Sequence, residues 1–388
     1  MKSTTGIHSL KRKHRSAHPH IMMNRVVVIL FGIVVSGVVV VVVAHRRKRR
    51  TKKNGRSSSS LLELVGNTPL VLVPSLSKET GCEIYAKCEW MNPCGSSKDR
   101  IAKEILMDAM ESKRITPGGT VVEASSGSTG ISLTRMARSI GLSTLIVIPN
   151  DQAQEKIHLL RRLGAAVELV KPASIVHPEH NVNVAKRRAA ELSNSIFADQ
   201  FENDANVRAH LKTGQEIWEQ TERRIDAFVM SAGTSGTLAG VSQYLKSKNP
   251  KVRVVLADPQ GSSLFHAVKH GVLYAPEQSE KTIRRHRIDT IVEGVGLDRM
   301  TKNFKTAQPL IDEAFRVSDP EVVTMARRLL LEDGFFVGSS SALNSVAALK
   351  LAKVMGPGHV IVTVFCSSGE RELTKVHDDE FCRMQGLL

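Results

Sequence analysis

The sequence predicts an α/β protein with parallel sheets, divided into two lobes, and three observations support this. After residue 60, short β-branched runs alternate with longer segments of helical periodicity, which is the pattern of βαβ units. Residues 61–388 exceed what one compact core usually holds, so we expect two lobes. Hydrophobic residues make up 41% of the chain and charged residues 24%, as in globular proteins rather than disordered or fibrous ones.

The predicted strands are short and bounded by turn residues. They are Ile84–Cys88, Thr120–Glu123, Thr144–Ile148, Ala166–Val170, Ala227–Met230, Val252–Ala257 and Val360–Phe365. The predicted helices have apolar residues three or four positions apart. They are Asp99–Lys113, Thr129–Ile140, Gln154–Leu163, Val182–Leu192, Val207–Thr221, Thr237–Ser247, Asp319–Glu332 and Ser341–Val354.

The positive charge of the chain is concentrated in its first sixty residues. The whole chain has 54 Lys and Arg against 38 Asp and Glu, a formal net charge of +16. Residues 1–60 contain fourteen of the basic residues and no acid, which leaves 40 basic and 38 acidic residues, a net +2, in the remainder. The body is therefore nearly neutral, and the basic pI does not indicate a nucleic-acid-binding globule.

Residues 26–44 form a valine-rich run of nineteen residues without a charge. A helix of this length spans roughly 28 Å, close to the hydrocarbon thickness of a bilayer. The run is long for a signal peptide, no A-x-A cleavage site follows it, and eight basic residues come directly after it. We therefore expect a transmembrane helix over residues 26–44, inside a basic targeting head over residues 1–60 that ends in a flexible serine linker.

The flanking charges predict the orientation and location of this span. Eight basic residues after the run outnumber the six before it, so the positive-inside rule places the body in the cytosol. An acid-free head with Ser, His and Arg is typical of a mitochondrial address. We expect a single-pass protein of the mitochondrial outer membrane, with the endoplasmic reticulum as the alternative. Five cysteines without a C-x-x-C pair favour reduced thiols, which agrees with a body in the cytosol.

Two loops rich in glycine and hydroxyl groups each follow a predicted strand and open a predicted helix. They are residues 125–130, SSGSTG, and residues 231–237, SAGTSGT. Hydroxyls and the free N–H groups of a helix start bind anions. Neither loop matches G-x-G-x-x-G or the Walker pattern, so dinucleotide or ATP binding is not indicated. Either loop alone fits ordinary turn chemistry, but the pair suggests a ligand with two anionic ends.

Lys98 and Ser367 lie in two further polar segments. Lys98 stands at a predicted helix start, where the helix dipole disfavours the ammonium form. A neutral amine can form a Schiff base with an aldehyde. Ser367 follows the strand Val360–Phe365, at the carboxyl end where parallel sheets bind ligands. Taken alone, each residue fits a structural role better, as a solvated lysine or a capping serine.

Together these segments resemble the pyridoxal-phosphate-dependent cysteine synthase (O-acetylserine sulfhydrylase) family of fold type II. The resemblance covers nearly the whole body and includes VGNTPL at 65–70, NPCGSSKDR at 92–100, QFEN at 200–203, TGQEIW at 213–218, GVG at 294–296, GSSS at 338–341 and SSGER at 367–371. With its basic head, the chain is most similar to the mitochondrial membrane-anchored members. The resemblance implies a catalytic domain over residues 61–388, with a smaller lobe over about 96–200 and a larger lobe formed by 61–95 and 201–388.

The resemblance also implies pyridoxal 5′-phosphate as cofactor and roles for the site residues. Lys98 would hold the cofactor as an aldimine and act as the base, and Ser367 would hydrogen-bond the pyridine nitrogen. Two anions would be bound by the loops, the cofactor phosphate at Gly233, Thr234, Ser235, Gly236 and Thr237, and the substrate carboxylate at Ser125, Ser126, Gly127, Thr129 and Gln200. Three features depart from the family: Ser128 replaces an asparagine that contacts the cofactor, Ser235 replaces a glycine, and residues 151–154, DQAQ, replace a methionine-containing loop. No metal site is expected.

The implied activity is β-replacement, most simply O-acetyl-L-serine and sulfide to L-cysteine and acetate through an aminoacrylate. A neutral hydroxyl such as that of Ser367 does not keep the cofactor ring protonated, so loss of a β-leaving group is favoured over reactions that need a long-lived carbanion. Cystathionine β-synthase-like activity, serine or threonine dehydratase activity and an anchored pseudoenzyme stay open as alternatives. We expect a homodimer that contacts a small amino-acid substrate, sulfide or a thiol, and the membrane, but not nucleic acid.

Overall fold

The computed structural model describes residues 60–125, 127–152, 154–276 and 290–388, together with the backbone of residues 32–35 and 38–41. The chain forms two compact units, Met1–Ser57 and Ser58–Leu388. The candidate site residues all belong to the second unit.

In the first unit, the described residues form two antiparallel strands, β1 (Gly32–Val35) and β2 (Val38–Val41). The helix predicted over residues 26–44 is therefore not seen in these residues, and the rest of that run lies outside the described residues. β-branched valines favour an extended backbone, which is the physical reason for the difference. Within the described ranges, no helix is both long and apolar enough to cross a bilayer.

The second unit alternates strands and helices, as the sequence predicts. Its strands are β3 (Leu70–Leu72), β4 (Glu83–Cys88), β5 (Thr120–Ala124), β6 (Ser143–Pro149), β7 (Ala166–Val170), β8 (Ser195–Phe197), β9 (Ala227–Ser231), β10 (Arg253–Pro259), β11 (Glu313–Val317) and β12 (Val360–Phe365). Its helices are α1 (Pro74–Thr80), α2 (Lys98–Glu111), α3 (Ser128–Ser139), α4 (Gln154–Leu163), α5 (Asn181–Glu191), α6 (Ala205–Gln220), α7 (Gly236–Lys248), α8 (Leu264–His270), α9 (Lys302–Ala307), α10 (Asp319–Asp333), α11 (Ser339–Met355) and α12 (Asp379–Met384).

Two sheets organise the second unit. The larger sheet has the order β11-β10-β9-β12-β4-β3 and is parallel except for β3 at one edge. The smaller sheet, β7-β6-β5-β8, is entirely parallel. The predicted α/β fold with parallel sheets is confirmed. The lobe limits at residues 96 and 200 stay a prediction, although every strand of the smaller sheet lies between them.

The larger sheet is covered by helices on both faces. Along β12, Ile361 and Phe365 pack with α10 and α11, whereas Val362 and Val364 pack with α6 and α7. All residues of β12 are buried, as expected at the centre of a parallel sheet. Because β9, β12 and β4 are neighbours in this sheet, the loops at their carboxyl ends meet at one edge. The five cysteines are buried free thiols, as the sequence predicts.

A buried ion network anchors α2 to β4 and α6. Arg100 Nε lies 2.7 Å from Glu89 Oε2, Arg100 Nη2 lies 2.7 Å from Glu216 Oε2, and Lys87 Nζ lies 2.6 Å from that same Glu216 oxygen. Lys87 and Glu89 are fully buried. Burial raises the pKa of Glu216, but Arg100 and Lys87 outweigh burial and lower that pKa to about 2. The network therefore keeps the Glu216 carboxylate ionised and fixes the helix that begins at Lys98.

Removal of Arg100 leaves Glu89 as a buried charge without its cation. We expect Arg100→Leu to lower the free energy of unfolding by about 3–5 kcal/mol, measured in urea by tryptophan fluorescence. The matched control, Lys212→Leu, removes the cation of a surface pair in which Lys212 lies 3.2 Å from Glu104. Exposed pairs contribute at most about 1 kcal/mol. Equal losses for the two variants would contradict the anchoring role of the network.

Candidate active site

The start of α2 and the loops after β5, β9 and β12 line one cleft of about 1000 Å³. The predicted site residues on its walls are Lys98, Ser125, Gly127, Ser128, Thr129, Gln200, Gly233, Thr234, Ser235, Thr237 and Ser367. Gly236 is buried next to them as the first residue of α7, and Ser126 lies outside the described residues. The fold thus brings together residues that are up to 269 positions apart in the sequence.

Lys98 is the first residue of α2, and its Nζ lies 3.5 Å from Ser97 Oγ. The N–H of Ser97 donates to the carbonyl of Cys366 at 3.0 Å, which holds the helix start against the loop that contains Ser367. Burial lowers the pKa of Lys98; the Cys366 thiol opposes this effect and the Arg371 cation adds to it. The neutral amine that carbonyl chemistry requires is therefore favoured at this position.

The loop between β5 and α3 is held by hydrogen bonds to its own side chains and to Gln200. Ser125 Oγ accepts from the N–H of Gly130 at 3.2 Å. Thr129 Oγ1 donates to Gln200 Oε1 at 2.6 Å, and Gln200 Nε2 donates to Glu123 Oε1 at 3.3 Å. Burial raises the pKa of Glu123 to about 8, so this carboxyl group is protonated at neutral pH. For Gln200 to bind a carboxylate, its amide has to exchange one of these protein partners for the ligand.

The loop between β9 and α7 has the features of a phosphate site. Ser235 has a left-handed backbone, with φ 65°, and is only 3% exposed. Its Oγ has no hydrogen-bond partner among the described residues. A Cβ on Gly233 would lie 2.1 Å from the carbonyl oxygen of Gly294, so only glycine fits there. A buried, unpartnered hydroxyl at the start of a thirteen-residue helix is the donor set that a phosphate needs.

Two neighbours of this loop were missed by the sequence interpretation. Asn206 Nδ2 donates to Thr234 Oγ1 at 2.9 Å, and His210 Nε2 lies 3.0 Å from Thr237 Oγ1. Both neighbours belong to α6 and are fully buried. The helical periodicity of α6 was visible in the sequence, but nothing in that pattern distinguishes a helix face that packs on the sheet from one that supports a loop.

Arg371, in the loop after β12, contacts Ser128, the serine that replaces the family's asparagine. Its Nη1 donates to Ser128 Oγ at 2.8 Å and its Nη2 donates to the carbonyl of Cys94. Ser367 lines the cleft, and its Oγ lies beside Gly338, where a Cβ would be only 2.8 Å away. Arg371 belongs to the SSGER segment quoted above, but sequence reasoning gave it no role, because a motif match does not show which of its side chains turn inward.

Comparison with known proteins decides the family. The model of the family described as "Pyridoxal-phosphate dependent enzyme" matches residues 61–367. The chain belongs to this family. It is 50% identical to Cysteine synthase 2 of Schizosaccharomyces pombe, over 84% of this chain and 85% of that one. It is 49% identical to the "Putative mitochondrial cysteine synthase" of Saccharomyces cerevisiae, over 81% and 82% of the two chains.

A solved structure agrees with this membership of the pyridoxal-phosphate-dependent family. The crystal structure of O-ureido-L-serine synthase matches with a TM-score of 0.71 at 28% identity, over 82% of this chain and 94% of that one. The predicted fold type and cofactor are therefore confirmed. The cleft fits the cofactor, since it offers a half-buried amine at Lys98 and an unpartnered buried hydroxyl at Ser235 for the two ends of pyridoxal 5′-phosphate.

Because Ser235 has a left-handed backbone, we expect Ser235→Gly to stabilise the fold but to weaken cofactor binding. A non-glycine residue in this region costs about 1 kcal/mol, so Ser235→Gly is expected to raise the free energy of unfolding of the cofactor-free chain by about that amount. It also removes a hydroxyl donor and is expected to weaken cofactor binding. Urea unfolding and a fluorescence titration with pyridoxal 5′-phosphate measure the two effects.

The control for this substitution is Ser247→Gly, in the last turn of the same helix α7. Glycine has a lower helix propensity than serine, so we expect this variant to lower the free energy of unfolding by about 0.5 kcal/mol. Its cofactor affinity should not change. A destabilised Ser235→Gly variant would show that the left-handed conformation carries no strain.

Proposed function

We propose that this protein is a pyridoxal-phosphate-dependent cysteine synthase that replaces the β-substituent of an amino acid with sulfide, most simply converting O-acetyl-L-serine and sulfide to L-cysteine and acetate. The observation that carries the proposal is the convergence of Lys98, two anion-binding loops and Ser367 on one cleft, in a chain half identical to proteins named cysteine synthases.

Lys98 supplies the amine that attaches the cofactor and the base that acts on the substrate. When bound, pyridoxal 5′-phosphate withdraws electrons from the α-carbon of the amino acid and makes its proton removable. Lys98 Nζ accepts this proton as a general base, and its lowered pKa favours the unprotonated amine that a base requires. The bond between Ser97 N–H and the Cys366 carbonyl keeps the amine aligned with the cleft.

The remaining residues orient the two anions of the reacting pair. Residues 233–237 bind the cofactor phosphate, and Ser125, Ser126, Gly127, Thr129 and Gln200 bind the substrate carboxylate. Ser128 and Ser367 would contact the cofactor ring, Ser367 at the pyridine nitrogen. Because Ser367 offers a neutral hydroxyl, it would not keep the ring protonated, which would favour expulsion of a β-leaving group over reactions that need a long-lived carbanion.

The substitution Lys98→Ala tests both roles of the amine. The full chain, purified with detergent, is expected to show a visible absorbance band of bound cofactor that changes on addition of O-acetyl-L-serine, and to form L-cysteine when sulfide follows. Lys98→Ala is expected to lose this band and to lower turnover by about 100-fold or more. Lys103→Ala, on the same helix α2, is the control and should keep both.

Three results would overturn the proposed reaction. A band in Lys98→Ala like that of the unaltered chain excludes Lys98 as the attachment site. Cofactor binding without any response to β-substituted amino acids indicates a pseudoenzyme. Release of an oxo acid from serine or threonine, without cysteine formation, indicates a dehydratase.

We also propose that the chain is a homodimer attached to the mitochondrial outer membrane through residues 26–44, with its catalytic domain in the cytosol. The support for the location is the uncharged run with its basic flanks and the mitochondrial name of the Saccharomyces cerevisiae relative; the homodimer is what the family resemblance implies. In lipid, which offers no water to the backbone, we expect a single helix over this run, because only a helix satisfies its own N–H and C=O groups within one segment.

Membrane attachment is tested by alkaline carbonate extraction of cell membranes. The unaltered chain is expected to stay in the pellet with outer-membrane markers. Val34→Arg combined with Val40→Arg places two charges in the span, each costing about 2.5–3.5 kcal/mol near its centre, and should move the chain to the supernatant. Val71→Arg, in the second unit, is the control and should not. Extraction of the unaltered chain, or its co-migration with markers of the endoplasmic reticulum, would refute the stated location.

A further inference from the structure

Helix α6 lies directly beneath the loop at residues 233–237 and contacts two of its hydroxyls. Asn206 Nδ2 lies 2.9 Å from Thr234 Oγ1, and His210 Nε2 lies 3.0 Å from Thr237 Oγ1. Asn206 and His210 are four residues apart, so they project from the same face of α6. Gly240 allows this face to approach α7 closely, since a Cβ there would lie 2.3 Å from the carbonyl oxygen of Val207.

The direction of the bond between Asn206 and Thr234 is fixed by a second contact. Asn206 Nδ2 also donates to the backbone carbonyl of Gln200 at 2.8 Å. A carbonyl can only accept, which identifies the atom that faces it as the amide nitrogen. Thr234 Oγ1 is therefore the acceptor of the other amide hydrogen, and the hydroxyl proton of Thr234 is left for a ligand in the cleft.

The direction of the bond between His210 and Thr237 depends on the imidazole tautomer. His210 Nδ1 lies 3.1 Å from Thr213 Oγ1. Burial lowers the pKa of His210 to about 3, so the ring is neutral and one nitrogen donates while the other accepts. If Thr213 donates to Nδ1, then Nε2 carries the proton and donates to Thr237. The hydroxyl proton of Thr237 is then free for a ligand, as that of Thr234 is.

We propose that Asn206 and His210 are positioning residues that orient Thr234 and Thr237 as hydrogen-bond donors toward the cofactor phosphate. With the unpartnered hydroxyl of Ser235, the loop then presents three O–H donors to a group that only accepts. This inference rests on the proposed function, because the phosphate is that of the cofactor. It explains how a loop without a lysine or arginine binds a dianion. Buried neutral donors on α6 donate to the threonine oxygens, so the threonine hydroxyl protons are left for the phosphate.

The experiment measures cofactor affinity rather than activity. The full chain, freed of cofactor, is titrated with pyridoxal 5′-phosphate and, separately, with pyridoxal, which lacks the phosphate. We expect His210→Leu to weaken binding of the phosphate form by about 10-fold and to leave pyridoxal binding unchanged. Thr237→Ser keeps the hydroxyl and should bind like the unaltered chain, whereas Thr237→Val should resemble His210→Leu.

A double-mutant cycle separates orientation from packing. If His210 acts through the Thr237 hydroxyl, then His210→Leu adds little to the loss already caused by Thr237→Val. A loss of the same size in both backgrounds, or an equal loss for pyridoxal and its phosphate, would show that His210 only packs and would overturn the proposal.

Thr213→Val tests the hydrogen-bond chain from Thr213 through His210 to Thr237 without altering the loop or the imidazole. It removes the donor to His210 Nδ1 and is expected to weaken binding of the phosphate form by about 3-fold. If His210→Leu does not fold, this variant decides whether His210 orients the Thr237 hydroxyl. Unchanged affinity for the phosphate form would contradict that role. An unaltered chain that binds neither pyridoxal nor its phosphate would instead refute the proposed function.

Discussion

The catalytic body depends on one buried ion network, in which Arg100 joins Glu89 and Glu216. Two carboxylates and two cations, Arg100 and Lys87, are removed from water there, which is unfavourable unless their charges and hydrogen bonds are all satisfied. That condition restricts the relative positions of α2, β4 and α6 to a narrow range. Since Lys98 begins α2 two residues before Arg100, the same restriction places the catalytic amine.

Helix α6 therefore supports the site at two points. Its C-terminal half contributes Glu216 to the ion network below α2, and its N-terminal half contributes Asn206 and His210 below the phosphate loop. The proposed catalytic amine and the proposed phosphate site are thus positioned from a single helix. A helix suits this role because its backbone hydrogen bonds are satisfied internally, so that its polar side chains are free to fix other groups.

Sequence patterns were sufficient for the framework of the fold. Each predicted strand and helix of the body is present, and the residues at the carboxyl ends of β5, β9 and β12 do meet in one cleft. Three strands, β3, β8 and β11, were not predicted, and β3 and β8 are only three residues long, too short for a clear period of two. In the valine run, residues 32–35 and 38–41 form strands rather than the predicted helix, because β-branched residues favour strands.

The contacts that other parts of the chain make with the site residues could not be predicted in the same way. Asn206, His210 and Arg371 contact residues between 27 and 277 positions away, and such pairings follow from how helices pack rather than from local periodicity. The motif matches located the loops correctly. They did not reveal that the Gln200 amide is already bound to Thr129 and Glu123, because a motif records residue types and not their partners.

The use of neutral donors for anions has a consequence for the catalytic amine. In the folded chain, burial lowers the pKa of Lys98, Cys366 opposes this effect, and the cation of Arg371 adds to it. The proposed anion sites consist of hydroxyls and backbone N–H groups, which carry no charge. A phosphate and a carboxylate held there keep their negative charge, and this charge favours the ammonium form of Lys98. The fold alone therefore lowers the pKa of the amine, and bound anions oppose that effect.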